Sequence, residues 1–335
     1  MRIGITADPE IAVPPLFYGG IERIIDMIVV ELLSLGHEVT LFANSESSVN
    51  SQLIPYQSSG NSLKDVFNNS LLIKKTINSQ KFDVVHSFGR LAYLLPIMPT
   101  KIPKLMSYQR EPTIKQIKRG HLLSRKNSLH FTGCSNYITN QIKPHASAET
   151  VYNGVNFDKY AFSAAVEGDA PFVFLGRIEP IKGVHLAVEM AIKTGKKLII
   201  AGNIPEFYTL YFNEKIKPFL GDQIQYVGAV NDIQKSEILS KAAALLMPIL
   251  WDEPFGIVMV EAMACGTPVL GLNRGAVPEI VVNGITGFFC NTVNELTERV
   301  AEIKSINRFS VLEMTKSRFS AQVITQQYLK QYQQF

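Results

Sequence analysis

Two glutamates eight positions apart, Glu253 and Glu261, bracket the segment Trp251-Asp252-Glu253-Pro254-Phe255-Gly256-Ile257-Val258-Met259-Val260-Glu261-Ala262-Met263-Ala264. Pro254 suits the first position of a helix, which predicts Glu253 at the helix mouth and Glu261 inside it. At helical rise the two carboxylates stand on the order of 10 Å apart, the span from a sugar across a diphosphate to a ribose. Glu261 sits among Met259, Val260, Ala262 and Met263, and a carboxylate in such surroundings is costly unless something hydrogen-bonds it. Ribose hydroxyls would serve, and so would a structural arginine. The first N–H groups of this helix, near Phe255, Gly256, Ile257 and Val258, would face an anion.

A second constellation is Phe174-Leu175-Gly176-Arg177-Ile178-Glu179-Pro180-Ile181-Lys182-Gly183. A strand ends, a turn carries Arg177 and Lys182, and a helix begins. Two fixed cations on one loop suit a leaving diphosphate, where negative charge builds as a glycosidic bond breaks. Arginine binds it in bidentate fashion and lysine adds a point charge. The plainer reading pairs Arg177 with Glu179 and leaves Lys182 on the surface. A third turn, Tyr18-Gly19-Gly20-Ile21-Glu22-Arg23, follows the first strand and opens a helix. Gly19 and Gly20 would let backbone approach a phosphate there, or simply make the turn. His86 closes the strand Phe82-Asp83-Val84-Val85-His86, at the cleft side of the sheet, where it would contact sugar or acceptor, or rest as a satisfied edge histidine.

The remaining histidines lack ligand spacing and no Asp-x-Asp occurs, so the expectation is chemistry without a metal or a bound cofactor, Arg177 and Lys182 supplying the positive charge. There is no Gly-x-Gly-x-x-Gly, the dinucleotide fingerprint of dehydrogenases. Cys134, Cys265 and Cys290 are odd in number and widely spaced, which fits a reducing, cytoplasmic compartment. The chain opens directly on a strand, which predicts no signal peptide, and no apolar run approaches the roughly 20 residues of a membrane span. Net charge is +4, yet eight Lys or Arg face one acid between Lys101 and Lys126. That stretch reads as a solvated helix face, or as a surface drawing an acidic acceptor or an anionic membrane peripherally. Without aromatic interleaving it does not suit nucleic acid.

The elements that must position these residues alternate strand and helix twice over. In the first half, strands are expected at Arg2–Thr6, Glu38–Ala43, Phe82–His86, Lys104–Tyr108, Leu129–Gly133 and Glu149–Tyr152. The helix after the first of them carries apolar residues at helical spacing from Ile21 to Leu33 and ends at Gly36. In the second half the expected strands are Phe172–Leu175, Lys197–Ala201, Gln223–Val227, Ala243–Met247, Pro268–Gly271 and Gly287–Cys290. Helices are expected at Gly183–Lys193, Asp232–Lys241 and about Ser310–Gln334. Short apolar strands between helices imply parallel sheets covered on both faces, and 335 residues suit two domains. The reading is an α/β protein of two doubly wound, Rossmann-like domains facing across a cleft, with ligands at the carboxyl ends of the strands.

Together these segments resemble glycosyltransferase family 4, retaining enzymes of the GT-B fold, and in particular a compact bacterial subgroup. The likeness runs from Pro14-Pro15 and Tyr18-Gly19-Gly20 through Gly36-His37-Glu38-Val39, His86, Asn153-Gly154-Val155, Arg177 and Lys182. It continues across Glu253 to Glu261 and ends at Pro278-Glu279-Ile280 and Asn283-Gly284. It implies an acceptor-side domain over 1–155, a nucleotide-sugar-binding domain over 156–315, and a last helix, 316–335, crossing back to the first. By the same likeness Arg177 and Lys182 hold the diphosphate, Glu261 the ribose and Glu253 the sugar hydroxyls, while Gly20 lines the phosphate or acceptor side. The donor would be a UDP- or GDP-type sugar and the acceptor a saccharide, a lipid-linked saccharide or a natural product. Where many relatives carry a histidine after the fourth strand, this chain has Tyr108 and Gln109. Competing readings are a GT-B nucleotide-sugar epimerase and a non-catalytic nucleotide-sugar-binding partner of another transferase.

Overall fold

The computed structural model describes residues 1–16 and 19–335; Tyr18, grouped above with the Gly19-Gly20 turn, lies outside the described residues. The chain forms two compact units, Met1–Gly154 with Ala321–Phe335, and Val155–Ser320.

Among the described residues the first unit holds seven strands: β1 (Arg2–Thr6), β2 (Glu38–Ala43), β3 (Gln52–Pro55), β4 (Val84–Ser87), β5 (Lys104–Tyr108), β6 (Leu129–Gly133) and β7 (Ala148–Thr150). They pair in parallel in the order β3-β2-β1-β4-β5-β6-β7. Its helices before the crossing to the second unit are α1 (Gly20–Ser34), α2 (Leu63–Ser79), α3 (Ile114–Leu123) and α4 (Asn136–Ile142), with a 3-10 segment at Leu91–Ile97. Sequence reasoning misses β3, because its four partly exposed residues end in a proline and carry no apolar run. Parallel crossovers are right-handed. Connections that step towards β3 therefore cover one face of the sheet, and those that step towards β7 cover the other. So α1 lies on one face, and α2, Leu91–Ile97 and α3 share the opposite one.

The second unit holds six parallel strands: β8 (Phe172–Leu175), β9 (Leu198–Ala201), β10 (Ile224–Gly228), β11 (Ala244–Met247), β12 (Val269–Leu272) and β13 (Gly287–Cys290). Their order is β10-β9-β8-β11-β12-β13. The helices are α5 (Val184–Thr194), α6 (Thr209–Lys215), α7 (Asp232–Ser240), α8 (Ile257–Ala264), α9 (Val277–Ile280), α10 (Val293–Glu298) and α11 (Arg308–Phe319). The helix expected over Ser310–Gln334 is two helices. Ser320 takes an extended conformation (φ −68°, ψ 153°) and ends α11. The chain then continues as α12 (Ala321–Tyr332), which packs on α1 in the first unit.

That packing closes the first core. Ile25, Ile28 and Leu32 of α1 and Ile324 and Tyr328 of α12 are fully buried with Ile3 and Ile5 of β1, and each such side chain contributes roughly 1.5–3 kcal/mol. His86 belongs to this core. Its Nδ1 lies 2.7 Å from the Tyr332 hydroxyl and its Nε2 lies 2.6 Å from Ser107 Oγ. The ring packs against Phe88 and Tyr328, and the residue has no exposed surface. With both nitrogens used and no open face, His86 is a satisfied core histidine here, not a group presented to a sugar. Burial pushes its pKa down to about 3.

The unfolded imidazole takes up a proton near pH 6.5, whereas the buried one stays neutral far below that. The contribution of His86 to stability is thus complete above about pH 6.5 and is lost as pH falls through the acid range. Between pH 7 and pH 5, urea unfolding should show the native protein losing about 2 kcal/mol more stability than His86→Asn. Parallel losses would mean that the histidine titrates freely.

Candidate functional site

In the second sheet the strand order reverses between β8 and β11, and open α/β sheets bind ligands at the carboxyl ends of strands flanking such a switch. The loops leaving β8 and β11 carry Arg177, Lys182, Trp251 and Glu253. Two backbone features bring them together. The Leu250 N–H donates to the Ile181 carbonyl at 2.8 Å. Gly183 adopts φ 74°, and a Cβ there would lie 1.9 Å from the Pro248 carbonyl oxygen, so only glycine allows the two loops to touch.

As a result the Lys182 ammonium lies 2.7 Å from Glu253 Oε2 and 4.5 Å from the centre of the Trp251 indole. Trp251 Nε1 donates to the same Glu253 oxygen at 3.1 Å. The main chain of this loop is also pinned. Ala276 N–H donates to the Glu253 carbonyl at 2.8 Å, and Gly275 N–H donates to Asp252 Oδ1 at 3.2 Å. Both side-chain donors reach Oε2, which leaves Glu253 Oε1 without a protein donor among the described residues. Arg177 ion-pairs with the buried Glu179 carboxylate at 2.9 Å while its own side chain stays 39% exposed. The plain salt bridge considered from sequence therefore exists, but Lys182 is not a loose surface lysine.

The helix α8 departs from expectation. It starts at Ile257, not at Pro254, because Gly256 sits at φ 78° as the N-cap, a conformation no α-helix contains. Glu253 lies in the loop before the helix and only Glu261 lies within it, so a helical rise does not apply across the whole interval. The N–H groups of Ile257 and Val258, half-buried, have no acceptor inside the helix and carry its positive end.

Glu261 is buried and is met by a cation that sequence reasoning missed. Lys235 of α7 donates to Glu261 Oε1 at 2.5 Å and also pairs with Asp232 at 3.1 Å. The Tyr160 hydroxyl donates to the same Oε1 at 2.9 Å, so no protein donor reaches Oε2 among the described residues. The signal for Lys235 was available in principle, since it falls on the inward face of α7 with Ser236 and Leu239. Tyr160 lies in a loop with no pattern to mark it. Arg308 is a further buried cation, bonding the carbonyls of Ser163, Ala242, Ser240 and Cys265, and it holds the unit together.

Gly19 and Gly20 lie in the first unit, at the start of α1. The space before that helix is already faced by an acid. A Cβ on Gly19 would come within 2.9 Å of Glu22 Oε2, and burial, reinforced by Asp8, raises the Glu22 carboxyl above the ordinary range. Also in this unit, Asn153 Nδ2 donates to Gln109 Oε1 at 2.7 Å. Gln109 Nε2 and Asn153 Oδ1 are left buried with no partner among the described residues.

Residues 156–316 match the family profile described as glycosyl transferases group 1, and residues 18–159 match that of glycosyltransferase family 4. A glycosyltransferase of Methanocaldococcus jannaschii is 27% identical over 319 residues, covering 88% of each chain. Among solved structures, sucrose-phosphate synthase of Thermosynechococcus elongatus has a TM-score of 0.81 at 17% identity, covering 99% of this chain and 98% of that one. Anabaena Alr3699/HepE in complex with UDP-glucose has a TM-score of 0.73 at 17% identity, covering 100% of both.

Replacing Lys235 by methionine would leave a buried carboxylate held by one tyrosine. We expect a loss of about 3–5 kcal/mol in unfolding free energy, with much of it restored in the double variant Lys235→Met/Glu261→Leu. A single variant as stable as the parent would show that Glu261 is solvated.

Proposed function

The chain belongs to the glycosyltransferase group 1/family 4 enzymes, which move a sugar from a nucleotide-sugar donor, and from that premise we propose a retaining, metal-independent transfer with the donor held by the second unit. Its parallel Rossmann-like sheets are those of the GT-B fold. The observation that carries the reading is the cluster at the switch of the second sheet, where Lys182 stands between Glu253 and Trp251 with Arg177 on the same loop.

In the transfer, the bond between the anomeric carbon and the diphosphate oxygen breaks, and charge gathers on that oxygen. Lys182 has three N–H donors, so it keeps its contact with Glu253 while meeting a phosphate. The Arg177 guanidinium, partly exposed, supplies the second cation. The free N–H groups of Ile257 and Val258 add fixed dipoles that need no reorganisation as the charge develops. Glu253 Oε1 is left to accept from sugar hydroxyls, and Glu261 Oε2 to accept from a ribose. Retention follows from a front-face displacement in which the leaving phosphate takes the acceptor's proton, so no carboxylate nucleophile is required.

A UDP-type donor is supported by the UDP-glucose complex of the Anabaena relative. The acceptor is left as a hydroxyl-bearing molecule. In the first unit, Gln109 Nε2 offers a donor and Asn153 Oδ1 an acceptor on one bonded amide pair, a combination suited to a hydroxyl group. His86, with both ring nitrogens bonded in the core, has no part in this scheme.

Trp251 is the sole tryptophan and touches the cluster. Its emission should change on titration with UDP or GDP, and Arg177→Ala should remove the response. Silence towards every nucleoside diphosphate tested would sink the donor-site assignment. Donor hydrolysis measured with and without EDTA should proceed at the same rate, and abolition by the chelator would mean that a metal, rather than Arg177 and Lys182, carries the charge.

A further inference from the structure

The first unit bears an apolar and cationic face that the transfer chemistry does not use. On α2, Leu63, Phe67 and Leu71 recur every four residues on one side of the helix, and all are exposed, Leu63 at 90% and Phe67 at 60%. Core-facing residues of the same helix, Ile73 and Ile77, occupy the other side, so this stripe is a second apolar face left exposed among the described residues. On α3, Leu122 and Leu123 are exposed at 82% and 54%, although Ile117 and Gly120 already anchor that helix.

The two stripes share one surface. Both helices lie on the same side of the first sheet and pack on the 3-10 segment between them. Ser70 of α2 donates to the Ala92 carbonyl at 3.1 Å, and the tight backbone at Gly120 of α3 seats against Leu91. The intervening segment adds exposed Leu95.

Cations surround these side chains. Lys64, Lys74 and Lys75 on α2 and Lys115, Lys118 and Arg119 on α3 are exposed. From residue 62 to 126 there are thirteen Lys or Arg and three acids, a surplus of ten in a chain whose net charge is +4, so everything outside this stretch is net negative. Of the three acids, Asp65 is tied into the α2 capping box, Asp83 accepts from Arg2 N–H and Glu111 accepts from the Tyr137 hydroxyl. One cation counted in the basic stretch from sequence leaves it. Lys104 is fully buried and donates to the carbonyls of Ile97, Thr100 and Ile102.

We propose that the face formed by α2, Leu91–Ile97 and α3 docks on an anionic lipid surface, with the exposed leucines and Phe67 entering the headgroup boundary and the lysines and arginines meeting lipid phosphates. Exposed apolar side chains set among Lys and Arg are what an interfacial helix presents to a bilayer. A second copy of the chain would bring like charge against like. Nucleic acid would leave the leucines in water. The inference is independent of the donor-site reading.

The test is co-sedimentation of the full chain with vesicles of phosphatidylcholine alone and of phosphatidylcholine with 30 mol% phosphatidylglycerol. Binding is expected to the anionic vesicles only, and to fade as salt rises from 0.1 to 0.5 M. Lys118→Gln/Arg119→Gln should weaken the partition roughly twenty-five-fold, at about fivefold per cation removed. Phe67→Ser/Leu122→Ser should weaken it also when the salt is low. These positions are exposed, and an unchanged far-UV circular dichroism spectrum and urea midpoint would show that the variants are folded. Failure to bind anionic vesicles, equal binding to neutral ones, or a concentration-dependent dimer that Phe67→Ser/Leu122→Ser dissolves would overturn the proposal.

Discussion

The ligand face of the second unit depends on one ion pair, Lys182 with Glu253 at 2.7 Å. These residues leave different strands, β8 and β11, and nothing in their local sequence brings them together. The contact needs both the carbonyl–amide bond from Ile181 to Leu250 and the missing side chain at Gly183. Both partners are mostly out of water, so removing either would leave a charge that neither solvent nor protein balances, a costly state. The pair therefore fixes the two loops relative to each other, and the indole of Trp251 closes it on one side.

A second ion pair performs a different task one helix turn deeper. Lys235 and Glu261 are both buried and tie α7 to α8, so the carboxylate within α8 is stable before any ligand arrives. A buried carboxylate satisfied by only one of its oxygens keeps the other as a strong acceptor. The same division holds at Glu253. In each case the protein donors crowd onto one oxygen and leave its twin as an open acceptor among the described residues, so the same residue can hold its structural contact while filling the binding role proposed for it.

Much of this was legible in the sequence, for physical reasons that differ by element. Parallel strands buried on both faces read as short apolar runs, and twelve of the thirteen could be placed; β3, exposed at the sheet edge and closed by Pro55, could not. The Arg177–Lys182 turn was legible because Gly176 and Gly183 punctuate it. The start of α8 was misjudged, since Pro254 suits a first helical turn as well as it suits the loop it occupies, and the left-handed Gly256 decides the matter. The role of His86 stayed open because a strand-end histidine looks alike whether or not a distant helix covers it. Tyr332, 246 residues away, does so, and no local pattern announces such a contact. Tyr160 was invisible for the same reason, and Lys235 showed only an inward-facing position on α7: sequence shows that Glu261 needs a partner without showing which residue arrives.

The two units treat positive charge in opposite ways. In the second, Arg177, Lys182 and Lys235 each sit against a carboxylate, so their positions are set and their charge is largely balanced until an anion competes for them. That arrangement favours a ligand that meets several of them at once, at defined distances. In the first, Lys74, Lys75, Lys115, Lys118 and Arg119 have no ion pair among the described residues and stand in solvent. Their geometry is loose and their field adds. A site that must recognise one diphosphate needs the first arrangement. A surface that must meet many equivalent negative groups needs only the second.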